Sequence, residues 1–206
     1  MAALERFLHD QPARTSPVLK AALAHAQFET IHPFLDGNGR VGRLLITLQL
    51  CADGVLREPL LYLSLYLKQH RDRYYELLNL VRTDGAWAAW VEFFVDAVLE
   101  TAGNAISVAN TLAELFREHR GRIQELGRVS GSALRVHEAL SKRPLSTIAR
   151  LPDETKLSIP AIRNAVSALV SLGIVRELTG RKRNRVFAYD NYLNLLSEGT
   201  LLADTS

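Results

Sequence analysis

The stretch Ile31-His32-Pro33-Phe34-Leu35-Asp36-Gly37-Asn38-Gly39-Arg40-Val41-Gly42-Arg43-Leu44-Leu45 (IHPFLDGNGRVGRLL) decides the reading of the chain. An amphipathic segment precedes it and an apolar one follows it, both with helical spacing. Its histidine, aspartate, asparagine, glycines and arginines are therefore packed into the joint between two helices. Proline at 33 disfavours helical geometry for His32 and ends the first helix there. The second helix is predicted to start at Asn38 or Gly39.

The joint has the chemistry of a polyphosphate site. Gly37-Asn38-Gly39 lets the backbone adopt conformations closed to bulkier residues. Successive N–H groups can then converge on an anion, and the helix start that follows adds partial positive charge. Arg40 and Arg43, at i and i+3, can lean to one side, and their forks match phosphate oxygens. Asp36 beside bound phosphates calls for a bridging cation, which makes it a candidate Mg²⁺ ligand. His32, at the other lip, can accept a proton near neutral pH. Pro33 fixes the turn, and Phe34 is expected to anchor the loop in the core. Each feature alone has a bland explanation as a turn, a helix end or a solvated pair, but their coincidence within twelve residues favours a site.

Outward from the joint, the first two thirds read as helices. Ser16-Pro17 is a start signal. Leu19, Ala22, Leu23 and Ala26 form an apolar stripe, with Phe28 and Ile31 near the helix end. After the joint, Leu44, Leu45, Leu48 and Cys51 or Ala52 recur at helical spacing, and Asp53-Gly54 stops that helix. A long helix is predicted over residues 64–82, then two more over 86–102 and 104–126, with a break at Gly103.

Near Gly127 the composition changes. Residues 130–140 look helical, and 146–151 form a short helical turn ended by Leu151-Pro152-Asp153. Ser158 caps a further helix with Ile159, Ile162, Val166, Leu169 and Val170 on one face, closed by Gly173. Residues 174–178 and 185–189 alternate around a polar turn and read as a β-hairpin. Three helices followed by a basic hairpin is the layout of a winged helix-turn-helix. The domains are thus read as 1–127 and 128–206, and the fold class as mainly α: a helical bundle followed by a small winged helix-turn-helix domain.

The chain has 206 residues, 48% hydrophobic and 23% charged, the composition of a soluble globular protein. No apolar run approaches a membrane span, and residues 1–11 lack the layout of a signal peptide. The one cysteine, Cys51, excludes an internal disulfide framework and reads as a small core residue; a cytoplasmic location is the default. The net charge of +3 is uneven: residues 1–127 hold 13 Lys and Arg against 15 Asp and Glu, and residues 128–206 hold 12 against 7. The basic end is compatible with an acidic partner such as DNA. In a DNA-reading winged helix, Ser158, Arg163, Asn164 and Ser167 would face the major groove, and the tip Arg181-Lys182-Arg183-Asn184-Arg185 would touch phosphates. A protein-contact role is the other use of that layout.

His32 to Arg43 resembles the Fic-domain signature, H-P-F-x-D/E-G-N-G-R-x-x-R, at every fixed position, and the helical surroundings fit over about residues 1–127. The C-terminal part resembles the winged helix that many bacterial Fic proteins carry. The resemblance implies a protein adenylyltransferase, moving AMP from ATP to a Ser, Thr or Tyr hydroxyl of a protein with release of pyrophosphate. By position, His32 is then the general base and Asp36 the Mg²⁺ ligand. Gly37, Asn38 and Gly39 cradle the phosphates, and Arg40 and Arg43 reach the β and γ groups. Tyr74 matches a tyrosine that family members place near the nucleotide, although a core tyrosine beside Leu77 and Leu78 is an equal reading. The intact Gly-Asn-Gly pattern favours AMP over whole-phosphate transfer. Two family features, a β-hairpin flap upstream and an inhibitory helix with S/T-x-x-x-E-G/N, are expected to be absent. Homodimers are frequent in the family and compatible with this chain. A nucleotide-sensing DNA-binding regulator with a non-catalytic Fic part is the alternative function.

Overall fold

A computed structural model of the chain describes residues 1–9, 15–57, 62–181 and 184–201, without the side chains of 198–201. Contacts divide it into two units, one ending at Ala105 and one beginning at Ile106. The first unit holds α1 (Ala2–Leu8), α2 (Pro17–Ile31), α3 (Asn38–Ala52), α4 (Leu63–Gln69), α5 (Arg71–Asp84) and the first half of α6 (Trp87–Gln124).

α2 is the hub of this unit. Pro17 takes the first helical position, though Ser16 makes no side-chain cap bond. Ala21, Ala22, Ala24, His25, Ala26 and Phe28 are all buried, so the helix is enclosed on most sides. Alanine makes that possible, because it lets neighbouring helices come close without leaving voids. Leu19 and Leu23, expected in the buried stripe, are only partly covered. Trp90 of α6 is fully buried and donates its indole N–H to the carbonyl of Ala22 at 2.9 Å. That bond ties α6 to α2 with no indole donor left unpaired.

α3 packs its other face against α2 from the one expected. Asn38, Gly42, Ile46, Gln49 and Leu50 are buried, whereas Leu44 and Leu48 are 54% and 51% exposed. Helical spacing defined a stripe, but the close α2–α3 contact selects the stripe that contains a glycine. Cys51 is half-buried, short of a full core position. The helix predicted over 64–82 is two helices. His70 leaves helical geometry at φ −104°, ψ 35°, its ring packed 4.2 Å from that of Tyr66. Conversely, Gly103 does not break the chain: α6 runs unbroken from Trp87 to Gln124. Its exposed glycine costs about 1 kcal/mol relative to alanine, too little to end a helix anchored at both ends by buried side chains. The two compact units meet within this helix, at Ala105 and Ile106.

The second unit contains the rest of α6, then α7 (Ser130–Lys142), β1 (Leu145–Thr147), α8 (Leu151–Thr155), α9 (Ile159–Ser171), β2 (Arg176–Glu177), β3 (Val186–Ala188) and α10 (Asp190–Leu201). The strands form an antiparallel sheet in the order β1-β3-β2. β2 and β3 are the expected hairpin. β1 replaces the predicted helical turn, and Pro152 starts α8 instead of ending a turn. Ser158 does cap α9, accepting from the Ala161 N–H at 3.5 Å. Ile162, Val166 and Leu169 are buried as expected, but Ile159 and Val170 are more than a third exposed. The core gathers Ile123, Val136, Leu140, Leu151, Ile162, Leu169 and Phe187 around Tyr189. The Tyr189 hydroxyl bridges His119 Nδ1 at 2.7 Å and His137 Nε2 at 3.0 Å, donating to one imidazole and accepting from the other. Among the described residues, no helix is long and apolar enough to cross a membrane.

Candidate active site

α2 ends at Ile31, and His32 takes the left-handed region (φ 49°, ψ 58°) while its N–H still bonds the Phe28 carbonyl at 2.9 Å. A non-glycine residue there is sparsely populated, and such strain gathers at functional sites. The His32 side chain is 60% exposed. The loop turns back through Gly37, at φ 82°, which forms the N-cap of α3 and supplies no side-chain cap. The first-turn N–H groups of α3 therefore lack the usual capping oxygen, which is the condition for anion binding at a helix start.

Asn38 does something that spacing alone did not suggest. Its side chain is turned inward, and the residue is 2% exposed. Oδ1 accepts from the Phe34 N–H at 2.9 Å, and Nδ2 donates to the Phe34 carbonyl at 2.6 Å. It clamps the two lips of the loop together, so its contribution to a cradle comes from its backbone. Phe34, expected to be the anchor, is half exposed and only leans on Phe28 with ring centroids 6.3 Å apart. Asn38 is the anchor instead.

The charged groups stand on the open side. Arg40 Nη2 donates to Asp36 Oδ2 at 3.3 Å, and both side chains are exposed. Arg43 is half-buried, with Nη1 lying 3.2 Å from where a Cβ on Gly39 would stand. The structure thus brings His32, Asp36, Gly37, Asn38, Gly39, Arg40 and Arg43 onto one short loop and the helix start after it.

Tyr74 is elsewhere. It is 3% exposed, and its hydroxyl donates to His25 Nε2 at 2.9 Å. A buried ring with its hydroxyl committed offers no surface to a nucleotide, so the core reading holds for Tyr74. Burial, with the nearby Glu29 charge, pushes its phenol above the ordinary range.

Three residues beneath the loop escaped the sequence reading. His25 Nδ1 donates to the Gly42 carbonyl at 2.9 Å, locking α3 to α2. Burial holds its pKa down at about 4, against the opposing pull of the Gly42 bond. Glu29 has a side chain only 10% exposed. Its carboxyl is pushed up by burial and pulled back by His32 and Arg43. Gly42 leaves the space these two occupy: a Cβ there would collide with Glu29 Oε1 and stand 3.1 Å from the His25 ring. The available signal was His25, Glu29 and His32 at i, i+4 and i+7, one face of α2.

Neutral His25 makes stability pH-dependent. An unfolded chain protonates this histidine near pH 6.5, the folded chain only near 4. The stabilisation is complete above about pH 6.5 and declines as pH falls toward 4, by roughly 2 kcal/mol between pH 7 and 5. Urea unfolding of the first unit, followed by Trp90 fluorescence at pH 7, 6 and 5, should show this decline. A flat profile would contradict the buried, neutral assignment.

In the second unit, Arg163 and Ser167 of α9 and Asn184 and Arg185 of the hairpin line one concavity of about 860 Å³, floored by Ile148, Val166 and Phe187. Arg185 is already paired with Glu177 at 3.0 Å. Asn164 and Arg181 are exposed, and Ser158 caps α9. Lys182 and Arg183 lie outside the described residues.

Residues 1–50 match the model of the Fic/DOC family. Protein adenylyltransferase Fic of Drosophila yakuba is 38% identical over 102 residues, 49% of this chain and 19% of that protein. The Culex quinquefasciatus protein of the same name is 34% identical over 148 residues, 67% of this chain and 28% of that one. The chain thus spans about a fifth of the length of the first of these relatives. A crystal structure of a Fic family protein from Desulfovibrio desulfuricans G20 shares the fold, with a TM-score of 0.50 at 22% identity over 91% of this chain and 53% of that one. The loop and both helices beside it fall almost wholly within residues 1–50, and that segment matches the Fic/DOC family domain.

Proposed function

We propose that the chain transfers AMP from ATP to a hydroxyl side chain of a protein. The observation that carries this reading is the uncapped start of α3, with Arg40 and Arg43 beside it and His32 at the opposite lip. ATP lays its phosphates on the first-turn N–H groups, and the two guanidinium groups take the β and γ oxygens. The hydroxyl oxygen attacks the α-phosphorus, pyrophosphate leaves, and His32 accepts the hydroxyl proton. Asp36 suits Mg²⁺: its exposed carboxylate is paired with an exposed arginine, and Mg²⁺ needs one or two carboxylates when phosphate oxygens complete its shell. Bound there, the ion would neutralise phosphate charge. The names of the Drosophila and Culex relatives support the same activity.

The test is product analysis with ATP labelled at the α- or the γ-phosphorus, in the presence of Mg²⁺ and candidate acceptor proteins. The reading expects α-label in protein and pyrophosphate in solution. γ-label in protein would mean phosphate transfer instead.

The order α7-β1-α8-α9-β2-β3 supports a winged helix-turn-helix, and the concavity between Arg163 and Arg185 supports DNA as a second partner. Duplex binding should then weaken with salt, and Arg163→Ala with Arg185→Ala should lower the slope of log K against log salt by about 1 each. Fluorescence anisotropy with a labelled duplex measures it. An unchanged slope would leave the concavity to a protein partner.

A further inference from the structure

The carboxylate of Glu29 is an expensive feature that phosphate binding does not use. Its Oε1 is buried and has no hydrogen-bond partner among the described residues. Buried polar atoms are nearly always paired, and an unpaired one asks for a reason. The fold makes room for it on purpose: Gly42 has no side chain where Oε1 sits, and a Cβ on Gly39 would lie 3.9 Å from the same oxygen. The other oxygen, Oε2, faces His32 Nδ1 at 4.0 Å. The His32 ring is largely exposed while Glu29 is almost wholly covered. One edge of the imidazole therefore faces a fixed, sheltered carboxyl group.

We infer that Glu29 is a positioning residue for His32, keeping the ring proton on Nδ1 and leaving Nε2 as the atom that accepts the hydroxyl proton. The inference rests on the AMP-transfer reading for its use, but not for its geometry. A neutral imidazole carries one proton, and a carboxylate beside Nδ1 favours that proton there. When Nε2 takes the proton from the attacking hydroxyl, the oxygen–phosphorus bond forms and the bond to pyrophosphate breaks. The imidazolium so produced has its Nδ1–H toward Glu29, and the opposite charge stabilises it. The separation of 4.0 Å is long for a hydrogen bond, as such contacts often are before substrate binds. The other titratable groups beside the carboxyl are Arg43 on α3, which acts on it directly, Tyr74 on α5, which feels its charge, and His25, which shares the space over Gly42 with it.

The experiment is NMR of the ring nitrogens and carbons of His32 in the whole chain, assigned by comparison with His32→Ala. In the wild type, the neutral ring should carry its proton on Nδ1. In Glu29→Gln, the Nδ1–H population of the neutral ring should fall. In a transfer assay, kcat should fall roughly 10- to 100-fold with KM for ATP unchanged. Glu29→Asp, which keeps the charge but withdraws it by one methylene, should show a smaller drop on both readings, and it replaces Glu29→Gln if that variant does not fold. An unchanged tautomer overturns the inference, whether or not the chain transfers AMP. Absence of transfer in the wild type would instead count against the proposed function and leave the NMR result to decide the role of Glu29.

Discussion

His32→Ala is expected to lower AMP transfer by roughly 100- to 10,000-fold while leaving ATP affinity within about threefold. The asymmetry follows from where His32 stands. It lies on the lip opposite the α3 start, separated from it by the turn through Gly37, and its side chain is exposed. The groups proposed to hold the phosphates are backbone N–H groups and two arginines, none of which depends on the imidazole. Removing the ring takes away the proton acceptor and the relief of backbone strain is small, because alanine must also occupy φ 49°. Steady-state rates and titration calorimetry with ATP separate the two quantities. Loss of affinity equal to loss of rate would mean that His32 binds nucleotide and is not the base.

Asn38→Ala should show the reverse pattern. The side chain makes two bonds to the Phe34 backbone, at 2.9 and 2.6 Å, within a residue that is 2% exposed. Truncation leaves the Phe34 N–H and carbonyl to find new partners and frees the lips of the loop. Losing two such bonds costs roughly 2–3 kcal/mol of loop order. Spent wholly on the conformation that receives phosphates, this weakens ATP binding by about 30- to 160-fold. The rate at saturating ATP should fall far less than in His32→Ala. Calorimetry checks the affinity, and an unchanged Kd would show that the first turn of α3 stays organised without the clamp. Together the two variants separate chemistry from binding on one loop.

The loop was legible because its residue types are unusual and close together. Pro33 marked the end of α2, Gly37 and Asn38 marked the start of α3, and Ser158 marked α9. What lay beneath the loop was not legible. Hydrophobic spacing on α3 pointed to Leu44 and Leu48, yet the buried contact runs through Gly42, Ile46 and Leu50, where closeness matters more than apolar bulk. Tyr74 matched a position in sequence, but its hydroxyl answers to His25, a partner 49 residues away. Asn38 was read for its backbone, and its side chain became the clamp. β1 has three residues, too few for alternation to register. Gly103 looked like a break because local propensity cannot weigh the anchoring of α6 on both sides of it.

The most direct test is the intact mass of the wild-type chain after incubation with ATP and Mg²⁺, read beside His32→Ala. The account predicts a covalent gain of one AMP on the chain's own hydroxyl groups in the wild type and no gain in the variant. A gain of a single phosphate, or an equal AMP gain in both proteins, would contradict it.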